Sequence, residues 1–411
     1  MKSLKVITNC LASASRAGLP ASRAGLPASR AGLLRVPRAG LLAVSLAGLL
    51  ALTAGPASPA LASVQAARAR GGPSTAARFS ASSWRVRTVL PESGSELTPS
   101  QVVEPGAGAA RAGIDYALVA TTTTGSTYRL RRTELATRSV REGPKFPVSE
   151  LSLAAGYLWA YGPVFSGVTS VRLVLYQVSP RTLAVVRSWT LAPGRSPEAA
   201  IGVAVTAGPG HTVWVGYLRM LRRIDAATGA TVAKVTLPAG LSVGQVAVDP
   251  AGRHLYAAAL TQAGAGSVFE YAARSGRLLA SARHNRKLTG LAVLALTAVP
   301  GGVWASLRGG MLGDTLLLRQ RGLHIVVPSA AIFGWPMDAS TVYGGGALWL
   351  ATDSGAVGCI APSTGVVRHR TTLAALSGTG QLFSVVPKKH VIYALGKPGL
   401  ITITPPPGCW A

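Results

Sequence analysis

The stretch "HTVWVGYLRMLRRIDAATGATVAKVTLPAG" runs from His211 to Gly240 and decides the reading of the whole chain. It holds a short apolar run around Trp214, a second run ending at Asp225, an Ala-Thr-Gly turn and a third run. Val213 and Val215 flank Trp214, which fits a middle strand buried on both faces between neighbouring sheets. Gly and Pro in the punctuating turns supply the φ values that tight reversals require. Asp225 with Thr228 and Gly229 reads as a hairpin turn whose carboxylate caps backbone N–H groups, not as a metal ligand.

Much the same phrase recurs along the chain. Its central aromatics are Tyr116, Trp159, Trp214, Tyr256, Trp304, Trp349 and Tyr393, separated by 43, 55, 42, 48, 45 and 44 residues. A period of roughly 40 to 50 residues belongs to propeller blades, each a four-stranded sheet. Apolar runs and turns such as "VAVTAGPGH" and "VAVDPAGRH" precede the aromatic, and turns such as "DAATGATV" and "AARSGRLL" follow it. Each block is therefore strand, turn, aromatic strand, loop, strand, turn, strand. The aromatics are expected to fill the core between blades.

The last block, around Tyr393, is followed by one more run, "GLITITPPPG", and so lacks an outer strand. At the other end "SSWRVRTVLP", Ser82 to Pro91, is written like the outer strands "ATVAKVTLP" and "VRSWTLAP". The expected fold is all-β: a β-propeller of about seven four-stranded blades over residues 82–409, its ring closed by this N-terminal strand so that no inner edge stays unpaired.

Phrases of the form V-x-P-x-G-x-x-x-W-V followed by D-x-x-T-G resemble the repeats of secreted, YVTN-type and quinoprotein-like seven-bladed β-propellers, from about Ser82 to Cys409. These motifs encode blades, not chemistry, so the resemblance implies a fold and leaves function open. Quinone-binding propellers hold their cofactor with a stacking Trp and with calcium bound by Glu, Asn and Asp. This chain has two asparagines, Asn9 and Asn285, so neither cofactor nor metal is expected. Asp115, Asp225, Asp249, Asp314, Asp338 and Asp353 are spread at about one per blade, as turn residues would be.

Hydrophobic residues make up 48% of the chain and charged ones 13%, which excludes long amphipathic helices with charged faces. The first 62 residues hold seven basic residues and no acid, so the remainder carries +20 of the total charge of +27. Such a charge attracts polyanions, but the arginines are scattered, with no basic block or stripe, and do not single out nucleic acid.

Residues 1–62 read as a signal peptide. A "SRAGLPA" tandem and the basic Arg35 and Arg38 precede a 17-residue apolar run, Ala39 to Gly55, then "PASPALAS", with cleavage expected between Ala62 and Ser63. The run is short for a spanning helix, which needs about 20 residues. Residues 63–81 read as a flexible leader. The expected product is secreted, without a membrane span, and monomeric. In an oxidising compartment Cys359 and Cys409, the two cysteines beyond the signal, can close a disulfide or remain as buried thiols.

His211, His254 and His390 each fall two or three residues before a blade aromatic, which puts all three on one rim. A lyase-type propeller could use such a histidine as general base, with a divalent ion in the central channel. Hairpin tips separated around the ring argue against it, and no nucleophile elbow, Walker loop or dinucleotide fingerprint appears in the mature chain. Phe333, Trp335 and Met337, in the loop "SAAIFGWPMDASTV", are the candidate contacts for a peptide or sugar. The preferred reading is a non-catalytic binding or scaffold module for a protein, a peptide or an anionic wall polymer. The alternative is a secreted propeller enzyme, marked by His and acidic residues converging at a channel opening.

Overall fold

This computed structural model describes residues 84–91, 101–103, 113–121, 127–148, 150–166, 170–195, 203–261, 266–282, 292–309, 312–319, 322–328, 340–378 and 380–410. The expected signal and leader therefore lie outside the described residues, as do Phe333, Trp335 and Met337.

The first strand is β1 (Arg85–Pro91). The first blade is β2 (Gln101–Val103), β3 (Ile114–Ala120), β4 (Tyr128–Glu134) and β5 (Val140–Phe146). The second is β6 (Glu150–Ala154), β7 (Tyr157–Ser166), β8 (Ser170–Val178) and β9 (Val185–Arg195). The third is β10 (Val203–Ala207), β11 (Thr212–Tyr217), β12 (Met220–Asp225) and β13 (Thr231–Thr236). The fourth is β14 (Leu241–Val248), β15 (His254–Thr261), β16 (Gly266–Ala272) and β17 (Leu278–Ser281). The fifth is β18 (Ala292–Val299), β19 (Gly302–Gly309), β20 (Leu312–Arg319) and β21 (His324–Pro328). The sixth is β22 (Ser340–Gly344), β23 (Ala347–Ala351), β24 (Ala356–Ile360) and β25 (Val367–Thr372). The seventh is β26 (Gln381–Val386), β27 (Val391–Gly396), β28 (Gly399–Thr404) and, as its outer strand, β1.

All seven sheets are antiparallel meanders. Their innermost strands touch in cyclic order, β2 to β6, β10, β14, β18, β22, β26 and back to β2, so the ring closes. Closure rests on β1, which pairs antiparallel with β28 from Arg85 opposite Thr404 to Pro91 opposite Gly399. The seven aromatics expected to mark the blades all lie on second strands, and none is more than 6% exposed. Their neighbours show why the strand reads apolar on both sides. Trp214 packs with Val243 and Leu255 of the fourth blade, while Val213 and Val215, pointing the other way, meet Leu173 and Leu175 of the second.

The turn at Asp225 is built as its sequence implies. Its carboxylate accepts from Ala227 N at 3.0 Å, Thr228 N at 2.8 Å and the Thr228 hydroxyl at 3.0 Å. These hydrogen bonds, those from Thr228 foremost, hold the carboxyl below its usual range. Gly229 has φ +79°, the left-handed region where a side chain would be strained.

The turn between third and fourth strands, the outer turn, also joins the blades. Its backbone carbonyls accept hydrogen bonds from side chains of the preceding blade. Tyr116 OH donates to Pro180 O at 3.2 Å and Arg141 to Arg181 O at 3.2 Å. Gln177 donates to Ala226 O at 2.6 Å and Arg187 to Ala227 O at 2.6 Å. Trp214 Nε1 donates to Ala273 O at 2.9 Å, Arg223 to Arg274 O, and Trp304 Nε1 to Pro362 O at 2.9 Å. A buried carbonyl left without a donor would cost about 1–3 kcal/mol, so these contacts set the spacing between sheets.

The seventh blade has no outer turn of its own, because its fourth strand comes from the other end of the chain. The segment after β28 takes that place. Arg368 of the sixth blade donates to Cys409 O at 3.3 Å, the Trp410 ring lies 4.8 Å from that of Trp349, and Cys409 is disulfide-bonded to Cys359. The covalent link thus stands where a hairpin stands in the other blades.

Two outcomes follow. Replacing Cys359 and Cys409 by Ser should cost about 4 kcal/mol, from the 50-residue separation they close, and reductant should bring the wild type down to the melting temperature of the double variant. A chain starting at Glu92, which lacks β1, should melt lower than the complete propeller, and a synthetic peptide of residues 84–91 should restore part of the loss. Unchanged melting in either comparison would contradict the closure described.

Candidate functional site

In a four-stranded meander the turn between first and second strands and the outer turn emerge on the same rim. Among the described residues this rim exposes Arg138, Arg181, Arg253, Arg274, Lys388 and Lys389. The acids beside them are engaged by neighbouring groups. Asp225 is engaged by its own turn, and Asp249, only 6% exposed, accepts from Arg253 N at 2.6 Å and His254 N at 2.7 Å. Glu134 is paired with Arg132 of its own strand at 3.1 Å. The cations at the turn tips therefore face solvent, while Asp225 and Asp249 hold backbone N–H groups.

The three histidines lie on this rim, in the third, fourth and seventh blades, each with a different neighbour. His211 is exposed, and its charge helps lower the carboxyl of Asp225. His390 stacks on Trp410 at 5.0 Å. His254 Nδ1 lies 2.8 Å from Glu270 Oε1, and its side chain is 16% exposed. Glu270 is fully buried and sits opposite Tyr256, the register position that Gln177 holds opposite Trp159 and Arg223 opposite Trp214. Burial first, then the charges of Glu270 and Asp249, push the Tyr256 hydroxyl well above its usual range. Tyr256 packs in one cluster with Leu323, from the outer turn of the fifth blade, so this group fills a blade joint. No three His, Cys, Asp or Glu side chains gather to hold a metal among the described residues.

Two acids were not singled out from the sequence. Glu270 carried a signal, a lone acid inside the apolar run "SVFEYA". Glu150 carried none. It opens the innermost strand of the second blade, exposed to water yet hemmed by protein, and lost hydration raises its carboxyl. Tyr161, across the register from Glu150, is raised by burial and then by that carboxylate, with its hydroxyl 2.9 Å from Ser152 Oγ.

Between the third and fourth blades the same rim carries a cavity of about 540 Å³. Pro209, Gly210 and Gly252 form part of its wall, and Arg223, Arg253 and Arg274 line it as well. Among the described residues no acidic side chain lines it. Here described cations converge on a concave surface, an arrangement suited to an anion.

No protein-family model matches the chain, and no curated protein matches it. Among solved structures it is similar to BamB from Moraxella catarrhalis, at 15% identity over 71% of this chain and 81% of that one, with a TM-score of 0.45. It is also similar to Raptor from Chaetomium thermophilum, at 12% identity over 78% of this chain and 28% of that one, with a TM-score of 0.50. At 12% identity the likeness to Raptor speaks to the fold alone.

Proposed function

We propose that the chain is a secreted propeller, akin to the YVTN-type and quinoprotein-like repeats, that serves as a non-catalytic binding module at the cell surface and holds an anionic polymer on its basic rim. The observation that carries this reading is the division of charge on that rim: exposed Arg and Lys at the turn tips, with Asp225 and Asp249 capping backbone N–H groups and Glu134 paired with Arg132. Turns fixed by a rigid ring present their charges without a large ordering cost, and a surface of one sign attracts a polymer of the other. The His254–Glu270 contact is what favours the rival, an enzyme with a histidine base. Its imidazole faces a blade joint, where a substrate has little access.

The test is retention of the mature chain on an immobilised anionic polymer across a salt series. A basic side chain at an anionic surface contributes about 1 kcal/mol, so reversing both Arg138 and Arg181 to Glu should weaken retention by at least about thirtyfold at low salt. Retention indifferent to salt and to these reversals would sink the reading. Protein recovered from the medium of its host should begin at Ser63; a product kept inside the cell would remove the surface role.

A further inference from the structure

We propose that the cavity between the third and fourth blades is a binding site for a phosphate monoester, a phosphate group carried on a larger molecule. The proposal rests on the rim reading above and gives one of its positions a specific ligand chemistry.

The three arginines line the cavity from separate parts of the fold. Arg223 comes from β12 of the third blade, Arg253 from the turn before β15, and Arg274 from the outer turn of the fourth blade. Arg223 is already positioned. Its Nη1 donates to the carbonyls of Ala273 and Arg274, so its head group is held by the neighbouring blade before any ligand arrives. Its Nε is buried and has no acceptor among the described residues. Arg253 and Arg274 are exposed, and neither forms an ion pair among the described residues.

Charge selects among oxyanions. Three cations around one void repel one another, and the effect is visible at Arg223, whose pKa is lowered by burial and by the nearby Arg274. A carboxylate cancels one of the three charges. A phosphate monoester carries about −1.5 to −2 at pH 7 and offers three acceptor oxygens, which suits several guanidinium forks at once. Size argues that the phosphate comes attached to something. A cavity of about 540 Å³ falls in the range that takes a whole small ligand, well beyond one tetrahedral ion. Part of its wall is bare backbone: Gly210 and Gly252 have φ near +67° and +68°, and nothing lies within 4 Å of where a side chain would begin at Gly210.

The experiment titrates the full mature chain by calorimetry with glycerol 3-phosphate, inorganic phosphate and acetate in turn. It is repeated on Arg253→Ala, Arg274→Ala and, as a control elsewhere on the rim, Arg181→Ala. Both cavity substitutions are at exposed positions, and thermal melts of each variant verify that the ring is intact. Glycerol 3-phosphate should bind most tightly, each cavity substitution should weaken it about tenfold, and Arg181→Ala should leave it unchanged.

Equal weakening by Arg181→Ala would mean diffuse attraction and overturn the site. Tighter binding of inorganic phosphate than of the ester would overturn the assignment to a carried phosphate. Retention on the anionic polymer, read on the same samples, separates the two claims. Retention without glycerol phosphate binding removes the site and leaves the rim reading, whereas the reverse removes the rim reading and leaves the site.

Discussion

The ring depends on a contact that recurs at its joints: the outer turn of one blade is completed by the blade before it. Sheets stacked face to face would slide without a directional bond, because apolar burial is roughly proportional to area and has little preference for register. The donors at Tyr116, Gln177, Trp214 and Trp304 supply the missing direction. The buried turn residues Leu183, Ala226, Ala273 and Leu323 then plug against the aromatic of the previous blade. The joint from seventh blade to first is apolar, with Leu135 in one cluster with Tyr393 and Leu400. The joint from sixth to seventh uses a sulfur bridge. Chemically different contacts therefore meet one geometric demand.

That variety explains what the sequence could and could not reveal. The aromatics and the turns between strands recur because backbone geometry makes the same demand each time, and they disclosed the blades, their number and the closing strand. The residue opposite each aromatic on the third strand is Arg132, Gln177, Arg223, Glu270, Leu317, Cys359 or Thr402. No repeat is visible there, since the demand is only to fit the neighbouring blade. The cavity was hidden for a related reason. Its lining runs from Pro209 to Arg274, and nothing local to either segment marks a convergence that only blade stacking creates. The histidines were legible as occupants of one rim, while their separate neighbours were not.

Arginine does two jobs in this molecule. Arg141, Arg187, Arg223 and Arg368 act mainly as hydrogen-bond donors to carbonyls, using the reach and the planar fork of the side chain. The arginines at turn tips have no such engagement and leave their charge to solvent. With few acids available, a chain this basic builds its joints from donor and carbonyl instead of from opposite charges. Fold and recognition thus draw on different members of the same residue type, with Arg223 placed where the two meet.

The order in which the chain is made gives β1 an unusual history. Arg87 meets its partner Thr402 across 315 residues, so the first strand to emerge is the last to be paired. During that interval it is a free strand edge, the kind of segment on which chains aggregate. Its composition answers that hazard. "RVRTVLP" places Arg85 and Arg87 on either side of Val86 and ends in Pro91, so charge and a missing N–H interrupt the apolar run. The same residues stay at the outer edge after closure, with Arg85 to Thr88 exposed, and continue to discourage pairing with a second ring. A strand that seals the propeller is thereby also written to wait alone.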